Sequence, residues 1–405
     1  MSIYLDHAAS APLRDAARDA WIAAATLTGN ASSVHGAGQS ARRLLEESRE
    51  RIAAVLDCDP IEVVLTSGGT EAINLAVKGL WWERPAGRRA IVLPDGEHHA
   101  TLDTVGWLQA QGAAVRHVPL DSAGHIRADL FRAALGDVGD GVAPAVATAL
   151  VANNEIGTVQ DAAALATAAA DAGVPLHLDA VGAVGHLPVT FAAWRGAAAS
   201  GGGLVALSVS GHKVGAPVGT GALVVSRHAR MAALAHGGGQ QRGLRSGTQD
   251  VAGAAALAVA LEEADAERES EQRRLRALSD RLVSGILGRV PGAELLGDPR
   301  DRLAGNVHVH LPGAAGETML FLLDLAGISV STGSACQAGV AEPSHVVLAL
   351  GRAESVARSV LRITLGRTTT DADVDALLAA LPAVYERAVA ASAAPSLGAR
   401  TGERS

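Results

Sequence analysis

Cysteine is nearly absent from this chain: Cys58 and Cys336 are the two in 405 residues. They stand far apart and in no C-x-x-C pair, which excludes a disulfide scaffold and argues against a zinc or iron–sulfur site built by this chain alone. Aromatics are scarce as well, at 2%, so the core must be packed by aliphatic side chains. Charge of one sign does not accumulate: 34 Lys and Arg face 42 Asp and Glu, a net of -8 without long runs. That balance argues against a basic nucleic-acid footprint. No stretch reaches the roughly 18 uninterrupted apolar residues of a membrane span. The first residues, MSIYLDHAAS, hold neither the basic nor the apolar part of an export signal. The expectation is a cytoplasmic protein without metal, membrane or direct nucleic-acid partner. The length suits two domains, or one large α/β domain with an appendage.

What is present is order. From about Ile61 to Ser226, short apolar runs alternate with helical patterns. The runs are Val63 to Leu65, Ile91 to Leu93, Val115 to Leu120, Val146 to Val151, Val174 to Leu178, Leu204 to Val209 and Ala222 to Val225. Runs that are apolar throughout suit strands buried on both faces of a mostly parallel sheet. After the first run, Ile73, Ala76, Val77 and Leu80 repeat at helical spacing. This pattern predicts a doubly wound α/β domain. The second half reads as a smaller α+β unit. It has a charged helix over Glu262 to Arg289, a half-exposed alternating strand over Asn306 to Leu311, and a helix from Glu317 to Leu325. A strand from Leu361 to Leu365 and a helix from Asp371 to about Val389 complete it. Residues 392–405 are small and polar and are expected to be disordered.

Three segments carry chemistry, each at the end of a predicted strand. Thr66-Ser67-Gly68-Gly69-Thr70-Glu71 joins a strand to a helix, where glycines admit a ligand and helix amides face an anion. An ordinary Gly-rich turn with Thr70 as N-cap fits the same letters, whereas nucleotide loops of the G-x-G-x-x-G or Walker kind do not. His177-Leu178-Asp179 places an acid at a strand's carboxyl end, to serve either as a partner for a cation or as a helix cap. Ser208-Val209-Ser210-Gly211-His212-Lys213 places a lysine at the same edge. Partly desolvated, it is a nucleophilic amine; exposed, it is an ordinary loop lysine. Taken together, a phosphate cradle, an acid and a lysine meet the needs of pyridoxal 5'-phosphate.

Here the chain resembles the cysteine desulfurases, pyridoxal-phosphate enzymes of the class V aminotransferase type and fold type I. The matching segments include Tyr4-Leu5-Asp6-His7-Ala8-Ala9, Gly29-Asn30-Ala31-Ser32-Ser33-Val34-His35, the Thr-Ser-Gly-Gly-Thr-Glu loop, Glu97-His98-His99-Ala100 and Asn153-Asn154-Glu155-Ile156-Gly157. They continue through Asp179-Ala180, Ser210 to Lys213, Gly237 to Gln241, Arg245 to Thr248, Gly333-Ser334-Ala335-Cys336, Pro343-Ser344-His345 and Arg362 to Arg367. They run in family order over nearly the whole chain.

The resemblance implies the following roles. Lys213 would bind the cofactor covalently and carry the substrate's α-proton, with His98 stacked on the pyridine ring and Asp179 paired with its nitrogen. Gly69, Thr70, Ser210 and His212 would hold the phosphate, and Thr248 would reach the phosphate of the other subunit of a homodimer. Asn154 would sit near the phenolic oxygen, and Arg362, with Asn30, would bind the substrate carboxylate. Cys336, in a small, Gly-rich stretch that suits a mobile exposed loop, would take the sulfur of L-cysteine as a persulfide and release L-alanine. A lone cysteine is otherwise more often a buried, inert thiol. Pro343, seven residues after Cys336, resembles the longer-loop, housekeeping branch, whose sulfur passes to an iron–sulfur scaffold or a tRNA-thiolating enzyme. The large domain would span 15–260, and residues 1–14 would join 261–391 in the small one.

Cys58, between Asp57 and Asp59, is read as structural. Two departures stand out: Gly182 where the family has Gln, and Val218 where it has Lys in Ala216-Pro217-Val218-Gly219. The stretch 197–203 reads as a flexible connection. Competing readings are a selenocysteine lyase or another enzyme of the class V type, and a low-activity, cofactor-binding docking subunit for sulfur carriers.

Overall fold

The computed structural model describes residues 2–136, 139, 141–196, 201–333 and 342–393. Cys336, most of the Gly-rich connection at 197–203 and nearly all of the tail lie outside them. The described strands, in chain order, are β1 (Ile3–Tyr4), β2 (Val63–Thr66), β3 (Arg88–Pro94), β4 (Ala114–Val118), β5 (Ala143–Leu150) and β6 (Pro175–Asp179). There follow β7 (Gly203–Ser210), β8 (Gly221–Val225), β9 (Glu294–Leu295), β10 (Asn306–His310), β11 (Ile328–Ser329) and β12 (Val360–Thr364).

Each of the first seven apolar runs becomes a strand of one seven-stranded sheet, ordered β2-β8-β7-β6-β5-β3-β4. Only β8 runs against its neighbours β2 and β7. Neighbouring residues of one strand belong to different cores: Ile91 and Leu93 to one, Val92 to the other, with Leu223 and Val224 divided in the same way. This is why the runs do not alternate in polarity: both faces are covered. The helices Gly69–Trp82 and His99–Gln109 cover one face with Ile73, Leu75, Val77, Leu80, Val105 and Leu108. Gly36–Leu56 and Ala162–Asp171 cover the other.

The second body is a three-stranded antiparallel sheet, β12-β10-β9, with a two-stranded parallel pair, β1-β11, beside it. Leu5, from the chain's start, lies in its core with Leu275, Val307, Leu323, Leu361 and Leu377. Helix Asp371–Ala393 has the length and apolar character of a membrane-crossing helix, yet it buries Val374, Leu377, Leu381 and Val384 in this core.

Three expectations are corrected. The charged helix begins at Val251, not Glu262, and runs to Leu287. Its Ala-rich first half packs Leu257 and Leu261 into the large core, and its second half packs Leu278 and Leu282 into the small one. Over 37 residues, about 55 Å, a single rod ties the two bodies together. Strand β10 is buried on both faces. Val307 and Val309 face the small core, while Asn306, on the other face, abuts Gly157 of the large body, and His308 is 0% exposed. Finally, Ser392 and Ala393 belong to the last helix rather than to the tail.

Candidate active site

The carboxyl ends of β2, β3, β5, β6 and β7 share one edge of the large sheet, where open α/β sheets bind ligands. A cavity of about 460 Å³ lies there, and Asn306, Ser331, Gly333 and Arg362 of the second body form its other wall.

One corner is built on glycine. Gly68, not Thr70, caps helix Gly69–Trp82, with φ 150°, where other residues are strained. A Cβ on Gly69 would lie 2.7 Å from Val181 Cγ2 and 3.3 Å from Ser210 Cβ. The backbone is therefore drawn close against its neighbours, and Thr70, Ser210 and His212 line the cavity around the helix N-terminus. Glu71 is turned away, accepting from Ser67 N at 2.7 Å and from Arg245 Nε at 2.9 Å.

Asp179 ends β6 and is 2% exposed. Its Oδ1 accepts from Val181 N and Ser208 Oγ, both at 3.0 Å, which leaves Oδ2 free for the cavity. Burial raises its pKa to about 6, opposed by those two hydrogen bonds and the charge of Lys213, so the carboxylate is ionised at neutral pH.

β7 delivers Ser210 and then a single turn, Gly211–Lys213. Lys213 Nζ donates to the carbonyls of Ala8 and of Ala9, the latter at 3.0 Å. Burial, followed by the charge of Arg362, lowers its pKa to about 8. At pH 7 roughly a tenth of the amine is neutral, hundreds of times more than for an exposed lysine.

His98 caps helix His99–Gln109 through Nδ1, which accepts from Ala100 N at 3.0 Å. Burial and Lys213 lower its pKa to about 4, so it is neutral with its proton on Nε2. Just before it, Glu97 is 1% exposed, accepts from Leu150 N at 2.9 Å, and is raised to about 8 by burial. Asn154 follows β5 in a turn held by Asn153, whose Oδ1 accepts from Glu155 N and Ile156 N and whose Nδ2 donates to Gly96 O. Asn154 Oδ1 is buried in the cavity wall without a partner.

Arg362, on β12, crosses from the second body. Its Nη1 donates to Asn154 O at 3.1 Å and its Nη2 to Asp6 at 2.9 Å, while Nε is buried and unpartnered. Gly182 also lines the cavity, and a Cβ there would meet only Ala152 O, at 3.3 Å.

The cavity thus brings together Gly69, Thr70, His98, Asn154, Asp179, Ser210, His212, Lys213 and Arg362. It does not include Asn30 or Thr248. Both are exposed, Asn30 in a turn where its Oδ1 accepts from Ser32 N at 2.9 Å. Cys336 is outside the described residues. Asp6, His7 and His186 line the cavity without having been assigned a role from the sequence. The signal for the first two was the Asp6-His7-Ala8-Ala9 segment, whose place beside Lys213 and Arg362 is a long-range fact. Cys58 is inert by environment: burial first, then Glu62 and Asp57, push its thiol up to about 12.

This donor set fits pyridoxal phosphate on the structure's own terms. It offers an anion corner built on glycine, an ionised acid with one free oxygen and an amine with a lowered pKa.

Comparison with known proteins places the same features in context. The family model described as aminotransferase class-V matches residues 3–377. An IscS-like cysteine desulfurase of Mycobacterium tuberculosis is 46% identical over 402 residues, covering 98% of this chain and 100% of that relative. A solved NifS-like protein has a TM-score of 0.85 at 30% identity, over 96% of this chain and 99% of the other. A structure described as SspA in complex with cysteine has a TM-score of 0.76 at 29% identity, over 90% of this chain and 99% of the other. The α/β architecture with its smaller second body is that of these proteins, fold type I.

Proposed function

Because the chain belongs to the aminotransferase class-V family, we infer that it is a pyridoxal-phosphate-dependent cysteine desulfurase, converting L-cysteine to L-alanine and passing the sulfur to Cys336. The observation that carries this reading is the convergence of Lys213, Asp179 and Arg362 on one cavity whose wall includes Gly333, three residues before Cys336.

Gly69, Thr70, Ser210 and His212 would hold the cofactor phosphate, Asp179 the ring nitrogen, Asn154 the phenolic oxygen and His98 the ring face. When bound, pyridoxal phosphate supplies the electron sink that acidifies the substrate's α-carbon and loosens its carbon–sulfur bond. Lys213 would hold the cofactor through its neutral amine and would carry the substrate's α-proton; its lowered pKa suits it to both tasks near neutrality. Arg362 offers the buried Nε and the second N–H of Nη2 to the substrate carboxylate, with Asp6 and the Asn154 carbonyl holding the guanidinium in place.

Cys336 stands at most about 11 Å along the chain from the Cα of Gly333 in the cavity wall. Its thiolate attacks the substrate sulfur, and the bond from that sulfur to the β-carbon breaks with its electrons left on carbon. Protonation there leads to alanine, and the sulfur stays on Cys336 as a persulfide. As acceptor we propose an iron–sulfur scaffold or a tRNA-thiolating protein. We further propose a homodimer in which Thr248 serves the neighbouring site, and a cytoplasmic location, where thiols are kept reduced.

The test is to incubate the purified protein with L-cysteine and a reductant and to measure alanine and sulfide. Wild type yields both, and Cys336→Ala yields neither while keeping its visible cofactor band. A cofactor-loaded wild type that forms no alanine would refute the assignment in favour of a docking subunit.

A further inference from the structure

Behind Asp179 lies a row of polar side chains on the three central strands of the large sheet. Thr148 on β5 pairs in register with His177 on β6, and Asp179, two residues on and on the same face as His177, pairs with Ser208 on β7. Thr148, His177 and Ser208 are each 0% exposed, on strands whose other buried residues are mostly Ala, Val and Leu. Three polar groups in such a place cost stability unless each is hydrogen-bonded, and aliphatic residues would serve packing better.

Here each is bonded, and in a single sense. Ionised Asp179 can only accept, so the Ser208 hydroxyl proton goes to its Oδ1 at 3.0 Å. Ser208 Oγ must then accept from His177 Nε2–H, at 3.1 Å. His177 is neutral, burial having lowered its pKa to about 3, so its Nδ1 carries a lone pair and accepts from the Thr148 hydroxyl at 2.9 Å. Every proton in the row is assigned, and all the donors run toward the carboxylate.

We propose that Thr148, His177 and Ser208 form a polarised relay that keeps Asp179 ionised, with Oδ2 aimed at the cavity, and so sets the protonation of a ring nitrogen bound there. His177 and Ser208 are positioning residues that act through Asp179. This rests on the reading of the cavity as a pyridoxal-phosphate site. Removing the Ser208 donor weakens cofactor binding about 10- to 100-fold, the usual range for a hydrogen bond to a charged group.

The experiment has two arms. In the first, nitrogen NMR of histidine-labelled holoenzyme at pH 7 reads the His177 tautomer. The relay requires neutral Nε2–H, and an Nδ1–H or doubly protonated ring would overturn it. In the second, Kd and the absorption maximum for pyridoxal phosphate are measured for wild type, Ser208→Ala, His177→Phe and His177→Gln. The expected result is that Ser208→Ala and His177→Phe lose 10- to 100-fold in Kd with a changed cofactor band. His177→Gln, which keeps an N–H for Ser208, stays within about threefold of wild type. Wild-type Kd and band in both Ser208→Ala and His177→Phe would overturn the relay, as would equal losses in the Phe and Gln variants. A wild type that binds no pyridoxal phosphate would instead overturn the functional reading, and the tautomer would still decide whether the relay exists.

Discussion

Replacing Glu97 by Gln isolates one buried proton. Glu97 is held at a pKa of about 8 by burial, with the charge of Asp179 acting in the same direction and the hydrogen bond from Leu150 opposing. In the unfolded chain the group returns to the ordinary value near 4.5. The folded state therefore keeps a proton that the unfolded state has lost. The stabilisation is complete below pH 4.5, declines as pH rises through the interval to 8, and is flat above. Across the whole interval the change is about 5 kcal/mol, of which about 3 kcal/mol falls between pH 5 and 8. Gln keeps an acceptor for Leu150 N and has nothing to titrate. Urea unfolding at pH 5 and pH 8 should show wild type losing about 3 kcal/mol more than Glu97→Gln. Infrared spectra should show a neutral carboxylic-acid band that fades through pH 8 and is missing from the variant. Equal pH dependence in the two proteins, with no such band, would refute the reasoning. The matter reaches the active site because a neutral Glu97 leaves Asp179 as the single negative charge of the pair, available to a ring nitrogen.

Three further outcomes follow from the geometry. Arg362→Lys loses the planar fork and should raise KM for L-cysteine about 10- to 100-fold, read from alanine formation at varied substrate. Gly69→Ala places its Cβ 2.7 Å from Val181 Cγ2; it should destabilise the protein by about 1–3 kcal/mol and weaken cofactor binding, measured by urea unfolding and by spectral titration. Cys58, with its thiol raised to about 12, should resist iodoacetamide at pH 7.5 in the native protein and react after denaturation, as mass spectrometry of the digested protein would show.

The large sheet was legible from the amino-acid order alone, because strands buried on both faces read as largely apolar runs; all seven runs became strands, including the half-exposed edge strand β4 with its Arg116 and His117. The same order also located the glycine corner, Asp179 and Lys213, since each follows directly on such a run and local order alone sets them at one edge. Where it failed, the deciding contact was distant in the chain. The alternation at Asn306 to Leu311 marked one face for water, yet the turn carrying Gly157 packs on Asn306 and His308 is fully buried. The charges from Glu262 onward hid a helix that had begun at Val251, because small alanines against a core look like nothing in particular until the core is present. Asp6 meets Arg362 across 356 residues. Thr148, His177 and Ser208 come from three strands that no spacing connects. A residue's neighbours along the chain fix its periodicity and its place at a strand end; its pKa, its hydrogen-bond partner and the oxygen it leaves free depend on strands brought beside it by folding.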